Sequence, residues 1–198
     1  SQVEVLTPDF HSREELVRSV IEAGPEVFDH NLETVERLQR VVRPQADYQC
    51  SLKTLEIAKR LAPQRITKSG LMLGLGETVP EILETGRHLL SVGVSIVTLG
   101  QYLQPTPQSL EVQEYVTPEK FQDLTRKLMA MGFEKVLAGA YVRSSYHARE
   151  TFSGLGGLNT DQSTQNGDWG RPDCHQLKEN KSRDGARTCG NSETCTGI

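Results

Sequence analysis

One tryptophan and four cysteines in 198 residues leave little material for two common ways of stabilising or arming a protein. Cys50, Cys174, Cys189 and Cys195 contain no Cys-x2-Cys pair, which argues against a structural zinc site, and they are too sparse for a disulfide scaffold. A reducing compartment, the cytoplasm or the mitochondrion of a eukaryote, is therefore expected. A basic block is also missing. The 22 Lys and Arg against 26 Asp and Glu give a net charge of −4, a poor basis for gripping phosphate backbones, so nucleic acid is not expected as a partner. No apolar run approaches the ~20 residues that cross a bilayer, and SQVEVLTPDF lacks the basic-then-apolar order of a secretory signal. Membrane and secreted roles are not expected. The chain opens on Ser1 and enters a strand-like run at once, which reads as a segment of something longer.

Composition changes near Thr151. From Phe152 to Ile198 the chain holds eight of its seventeen glycines and no valine, too little apolar surface to offset an ordering cost of roughly 1–2 kcal/mol per residue. We expect a domain over residues 1–150 and a disordered polar tail over 151–198. The first part reads as repeated strand–helix units. Strands are expected at Val3–Leu6, Glu26–Asp29, Gly70–Leu75, Ser95–Leu99 and Val136–Val142. Between them, Ser12 with Glu15 and Thr78 with Glu81 look like capping boxes, each leading an amphipathic helix. A short helix carrying Leu32, Val35 and Leu38 and another from about Ser51 follow the second strand. Thr117-Pro118 opens a further helix and Gly132 closes it. Strands alternating with helices of this length imply right-handed crossovers and a parallel α/β sheet. About four units are half of a closed eight-stranded barrel.

In such sheets, ligands are bound where strands end and loops begin. Polar clusters occupy those points: Asp29-His30-Asn31 with Glu33, Gly74-Leu75-Gly76-Glu77, Gln101-Tyr102 with Gln104, and Arg143-Ser144-Ser145-Tyr146-His147. Together they suggest one shared pocket; each by itself is also compatible with a solvated loop. The glycine stretch from Gly70 to Gly76 is neither a dinucleotide fingerprint, since Val79 replaces the third glycine, nor a P-loop. Its glycines suit either close approach of a ligand to backbone or a tight turn. Lys68 before it and Glu77 after it would flank a zwitterion. His30 fits a base, a ligand or a hydrogen-bonded structural histidine, and Arg143 fits a carboxylate clamp or a surface ion pair.

Read in order, these strings resemble the lipoyl synthases of the radical S-adenosylmethionine (SAM) superfamily. The matching stretches are Leu6–Phe10, His30–Val35, Lys68–Glu77, Leu99–Thr106 and Val142–Ala148, and the resemblance covers about residues 3–149. It implies a parallel-stranded partial (β/α)6 barrel, of which this chain holds the later strand–helix units. It implies SAM beside a 4Fe–4S cluster, cleaved by one electron to a radical that takes hydrogen from C6 and C8 of a protein-bound octanoyl chain. It implies a second, auxiliary 4Fe–4S cluster as sulfur donor. Expected partners are octanoylated lipoyl-carrier domains, such as those of 2-oxoacid dehydrogenase subunits and the glycine cleavage H protein, and a reductant protein. By position, Ser145 matches the serine that ligates the auxiliary cluster, and the glycine string with Gly74, Gly76 and Glu77 matches a segment against adenine. Asn31, Glu33 and Lys68 fall where further SAM contacts are expected. The resemblance also places six cluster cysteines, in Cys-x4-Cys-x5-Cys and Cys-x3-Cys-x2-Cys sets, upstream of the matching region. This sequence contains neither set. A chain without them is expected to be inactive by itself; the alternative is a non-catalytic half-barrel that binds a carrier domain or a partner chain.

Overall fold

The computed structural model describes residues 3–143. The tail over 151–198, Ser145 and its neighbours in the Arg143–His147 motif beyond Arg143 lie outside the described residues.

Five strands form one sheet in the order β1-β2-β3-β4-β5. They are β1 (Glu4–Leu6), β2 (Val27–Asp29), β3 (Ile66–Leu73), β4 (Ile96–Gln101) and β5 (Lys135–Gly139). Every neighbouring pair is parallel. Helices α1 (Glu14–Glu22), α2 (Gln39–Val42), α3 (Tyr48–Leu61), α4 (Val79–Ser91) and α5 (Pro118–Met131) lie in the crossovers. This is a partial α/β barrel.

Alternation along each strand assigns the two faces. Phe28, Leu71, Leu73, Val97, Leu99 and Val136 join Val17, Ile21, Leu55, Leu89, Leu124 and Leu128 of the helices in one buried cluster. Each such side chain contributes roughly 1.5–3 kcal/mol by leaving water. The intervening positions, Asp29, Lys68, Gly70, Met72, Thr98 and Gly100, share the opposite face. The register sets Asp29 beside Lys68, Gly70 beside Thr98 and Met72 beside Gly100. One face is thus fully committed to packing, and the other is small and polar.

Local signals succeed where nothing distant competes with them. Thr78 and Glu81 form the expected capping box, with Glu81 Oε2 accepting from the Thr78 amide at 2.8 Å. Thr117 caps α5 through the Lys120 amide, and Gly132 ends that helix at φ +114°, a value that suits glycine. The capping box at Ser12 and Glu15 does not form. Residues Phe10, His11 and Ser12 all take positive φ, near +50°, and α1 starts two residues later with no side-chain cap. The reason is tertiary. The Ser12 hydroxyl donates to the Cys50 carbonyl of α3 at 3.0 Å, and the Thr54 hydroxyl takes the Asp9 carbonyl at 2.6 Å. Helix α3 begins at Tyr48, ahead of the expected start near Ser51, because a local cap sets it: Asp47 accepts from the Cys50 amide at 2.7 Å. The stretch expected to be helical from Leu32 is not helical up to Val35 and bridges to β3 at Glu33; only Glu36–Leu38 and α2 coil. Strand β3 starts at Ile66, so Gly70 falls inside it, and β5 ends at Gly139 rather than Val142.

Candidate functional site

The carboxyl ends of the strands carry the polar loops to one side of the sheet. After β2 the chain runs along β3 and bridges to it at Glu33. The Glu33 amide donates to the Gly70 carbonyl at 2.9 Å, and the Met72 amide donates to the Glu33 carbonyl at 2.8 Å. This tie requires Glu33 to adopt φ +69°, a left-handed conformation uncommon for a residue with a side chain. Backbone strain of that kind persists where the surroundings enforce it. After β4, the Gln101 side chain takes the Val116 amide at 2.8 Å and donates to the Glu114 carbonyl at 3.0 Å, drawing the long loop back over the strand ends.

Between these segments lies a cavity of about 320 Å³. Asn31, Glu33, Gly70, Met72, Thr98, Gly100, Gln101, Tyr102, Leu103, Pro105 and Arg143 are among its lining residues. Its floor depends on glycine. A Cβ on Gly70 would stand 2.7 Å from Thr98 Oγ1 and 2.8 Å from Asn31 Oδ1, and one on Gly100 would collide with the Val142 carbonyl. The lining bears the Glu33 carboxylate, the Asn31 and Gln101 amides and the Arg143 guanidinium, with apolar surface from Leu103 and Pro105.

Burial controls the ionisation of the acids here. It raises the Glu33 carboxyl above its ordinary range, while the hydrogen bond from Asn31 Nδ2 at 3.2 Å and the Arg43 charge act the other way. Beneath the cavity, burial pushes Asp29 up to about 8 against the pull of Lys68. Lys68 Nζ lies 2.5 Å from Glu4 Oε1 and 3.6 Å from Asp29 Oδ2, all three side chains being buried. His30 faces the Thr7 carbonyl through Nδ1 at 2.8 Å, and burial lowers its pKa, so the ring is neutral with its proton on Nδ1.

The structure therefore divides the expected contact residues. Asn31 and Glu33 line the cavity. Lys68 lies one pleat below Gly70 in a buried ion pair. Gly74, Gly76 and Glu77 form a turn outside the lining. Both Glu77 oxygens accept from that turn's own amides, Gly74 at 2.6 Å and Leu75 at 2.9 Å. Gly74 is glycine because φ is +101° and the Glu114 carbonyl approaches its α-carbon too closely for a side chain. Gly70 opens the glycine stretch of the sequence reading, whereas Thr98 and Gly100 are not among its strand-end clusters. The signal for all three is the two-residue period that puts Lys68, Gly70 and Met72 on one face, which becomes informative only once β4 is set in register beside β3.

Residues 2–89 match the Radical SAM superfamily. Lipoyl synthases of Cronobacter sakazakii and Klebsiella pneumoniae are each 52% identical over 148 residues, 74% of this chain and 46% of theirs. That of Salmonella arizonae is 51% identical over the same length. This chain is a lipoyl synthase relative. It spans about half the length of the lipoyl synthases it matches. A domain of a pyruvate-formate lyase-activating enzyme from Bacteroides vulgatus shares the fold, with a TM-score of 0.52 at 16% identity over 70% of this chain and 81% of that domain.

The radical SAM and lipoyl synthase family implies two kinds of cofactor, SAM and 4Fe–4S clusters, which call for different donors. The cavity's donor set suits SAM: against its ribose hydroxyls, purine edge and zwitterionic amino-acid end the lining presents glycines, amides, a carboxylate and an Arg. A 4Fe–4S cluster does not fit the described residues. They contain one cysteine, Cys50, which sits on α3 with its Sγ 3.0 Å from the Ser12 hydroxyl. Among them no group of three or more His, Cys, Asp or Glu could hold a metal ion, and thiolates are the usual cluster ligands.

Proposed function

We propose that this chain supplies the SAM-binding face of a lipoyl synthase, which inserts two sulfur atoms at C6 and C8 of an octanoyl chain carried on a lipoyl-carrier domain. The observation that carries the reading is the glycine-floored cavity at the strand ends, built by residues of the strings that resemble the family. The chemistry the family draws from bound SAM is removal of hydrogen from unactivated carbon. Acid–base groups cannot do this, so the protein's part is placement and exclusion of water. Asn31 and Glu33 would hold a pair of hydroxyls, since a carboxylate accepts from both and an amide adds one donor and one acceptor. Arg143 would meet a carboxylate. Gly70 and Gly100 would let a flat ring approach the strands, and Leu103 with Pro105 would keep water from the mouth. Octanoylated carriers and a reductant protein are the partners this reading calls for, in the cytoplasm or in mitochondria.

Calorimetric titration with S-adenosylhomocysteine tests it. Saturable binding with Kd below about 1 mM is expected. Gly70→Ala, which puts a methyl against Thr98 and Asn31, should weaken it by roughly tenfold or more while far-UV circular dichroism stays unchanged. Absence of saturable binding by the unaltered chain would refute the reading.

The single cysteine among the described residues favours a second reading, in which the chain is a non-catalytic half-barrel that binds a carrier domain or a partner chain. That reading expects capture of an octanoylated carrier without any S-adenosylhomocysteine binding.

A further inference from the structure

Arg43 stands at the carboxyl end of α2, where its own amide closes the helix on the Gln39 carbonyl at 2.8 Å. It does not line the cavity, and no sequence string marks it. Yet its side chain reaches the segment that does. Arg43 Nη1 donates to the Asn31 carbonyl at 3.1 Å. The same guanidinium acts electrostatically on His30 and on Glu33. It is thus coupled to His30, Asn31 and Glu33, and the last of these holds the left-handed φ of +69° that lets the segment pair with β3.

The guanidinium meets two separate needs. The segment holds to β3 on one edge, through the His30 amide on the Lys68 carbonyl, the Leu32 amide on Ser69 Oγ and the pairing of Glu33, and the donor from α2 takes the Asn31 carbonyl. The Glu33 carboxyl is half-buried, and a nearby permanent cation favours its charged form. The charged groups around Glu33 are Arg43, Asp29 behind it, which Glu33 influences in turn, and Arg143 in the same cavity lining. His30 contributes no charge in its neutral form.

We propose that Arg43 is a positioning residue: its bond to the Asn31 carbonyl locks the segment that carries Glu33 against β3 and sets a permanent positive charge near that carboxyl, so that a hydroxyl-bearing ligand such as the ribose of SAM meets a preset acceptor. This rests on the reading of the cavity given above for its ligand, but not for the lock itself.

The test uses the full chain with Arg43→Gln and Arg43→Lys. Without ligand, the Glu33 and Met72 amides of Arg43→Gln should exchange with solvent about tenfold faster, while those of Val97 and Leu99 in β4 stay at the unaltered rate. Carbon-detected NMR should show the Glu33 carboxyl titrating at higher pH in Arg43→Gln and near its unaltered position in Arg43→Lys, which a role in folding alone would not produce. With ligand, Arg43→Gln should bind S-adenosylhomocysteine about tenfold more weakly at pH 7, and the gap should narrow as pH rises and Glu33 ionises. Should Arg43→Gln fail to fold, Arg43→Lys carries the test, with fast Met72 exchange beside a normal Glu33 titration. An unmoved Glu33 titration in Arg43→Gln, or exchange accelerated uniformly across the sheet, would overturn the proposal. If the unaltered chain binds no S-adenosylhomocysteine while the Glu33 titration shifts as stated, the reading of the cavity fails and the lock stands.

Discussion

Asp29 and Gly70 share the polar face of the sheet, and each has one dominant physical constraint. For Gly70 it is space, since Thr98 and Asn31 crowd its α-carbon. For Asp29 it is solvation. Its carboxyl is fully buried, and burial pushes it from an ordinary value of 3.8 up to about 8. Between those pH values the folded chain holds a proton that the unfolded chain releases, so stability from this group is full below pH 4 and is lost as pH rises through about 8. Asp29→Asn cannot ionise. Its melting temperature should stay level across this window, while that of the unaltered chain falls as pH rises towards 8. Thermal melts of both proteins from pH 5 to pH 8.5 check this, and parallel pH profiles would refute it.

At the scale of elements, the sheet is legible because its strands are short, β-branched and followed by helices with local start and stop signals. Helix α4 shows why. Glu81 caps the Thr78 amide and also takes a two-pronged contact from Arg37, with Nε at 2.6 Å, while Arg37 donates to the Gly76 carbonyl at 2.8 Å. The cap therefore joins the turn after β3 to the segment after β2. Thr78→Ala should lower stability by about 1 kcal/mol, the usual worth of a lost N-cap. Urea unfolding measures it, with an unchanged slope and a lower midpoint as the expected outcome. The Ser12–Glu15 pattern had the same local spelling and failed, because α3 claims the Ser12 hydroxyl. Local grammar is overridden where a distant element offers a buried partner.

For the molecule as a whole, the limiting fact is the donor set. The chain carries four cysteines at spacings that match neither cluster motif of the resemblance, and a single serine oxygen cannot hold a cluster. Anaerobic reconstitution with iron and sulfide should therefore leave the chain without a stoichiometric 4Fe–4S signal in absorbance near 400 nm and in electron paramagnetic resonance. A full complement of iron and sulfide in the purified chain would show that the cysteines after residue 150 act as ligands after all.

The amino-acid sequence by itself determined the class of fold, the order of the elements and the family. Those properties follow from local periodicity, caps and short strings, each carried by residues a few positions apart. It also brought Asn31 and Glu33 forward as candidate site residues, because they follow a strand end, and both line the cavity. Only the tertiary structure decided that Gly70 and Gly100 form the floor of the cavity, that Lys68 is bound up with Glu4, and that Gly74, Gly76 and Glu77 close a turn outside it. It alone brought Arg43 to Asn31 across twelve residues of chain. Register between parallel strands, and the burial that shifts Asp29 and Glu33, arise when separate elements pack together. No local pattern encodes them, since neither partner's identity is visible from the other's position in the chain.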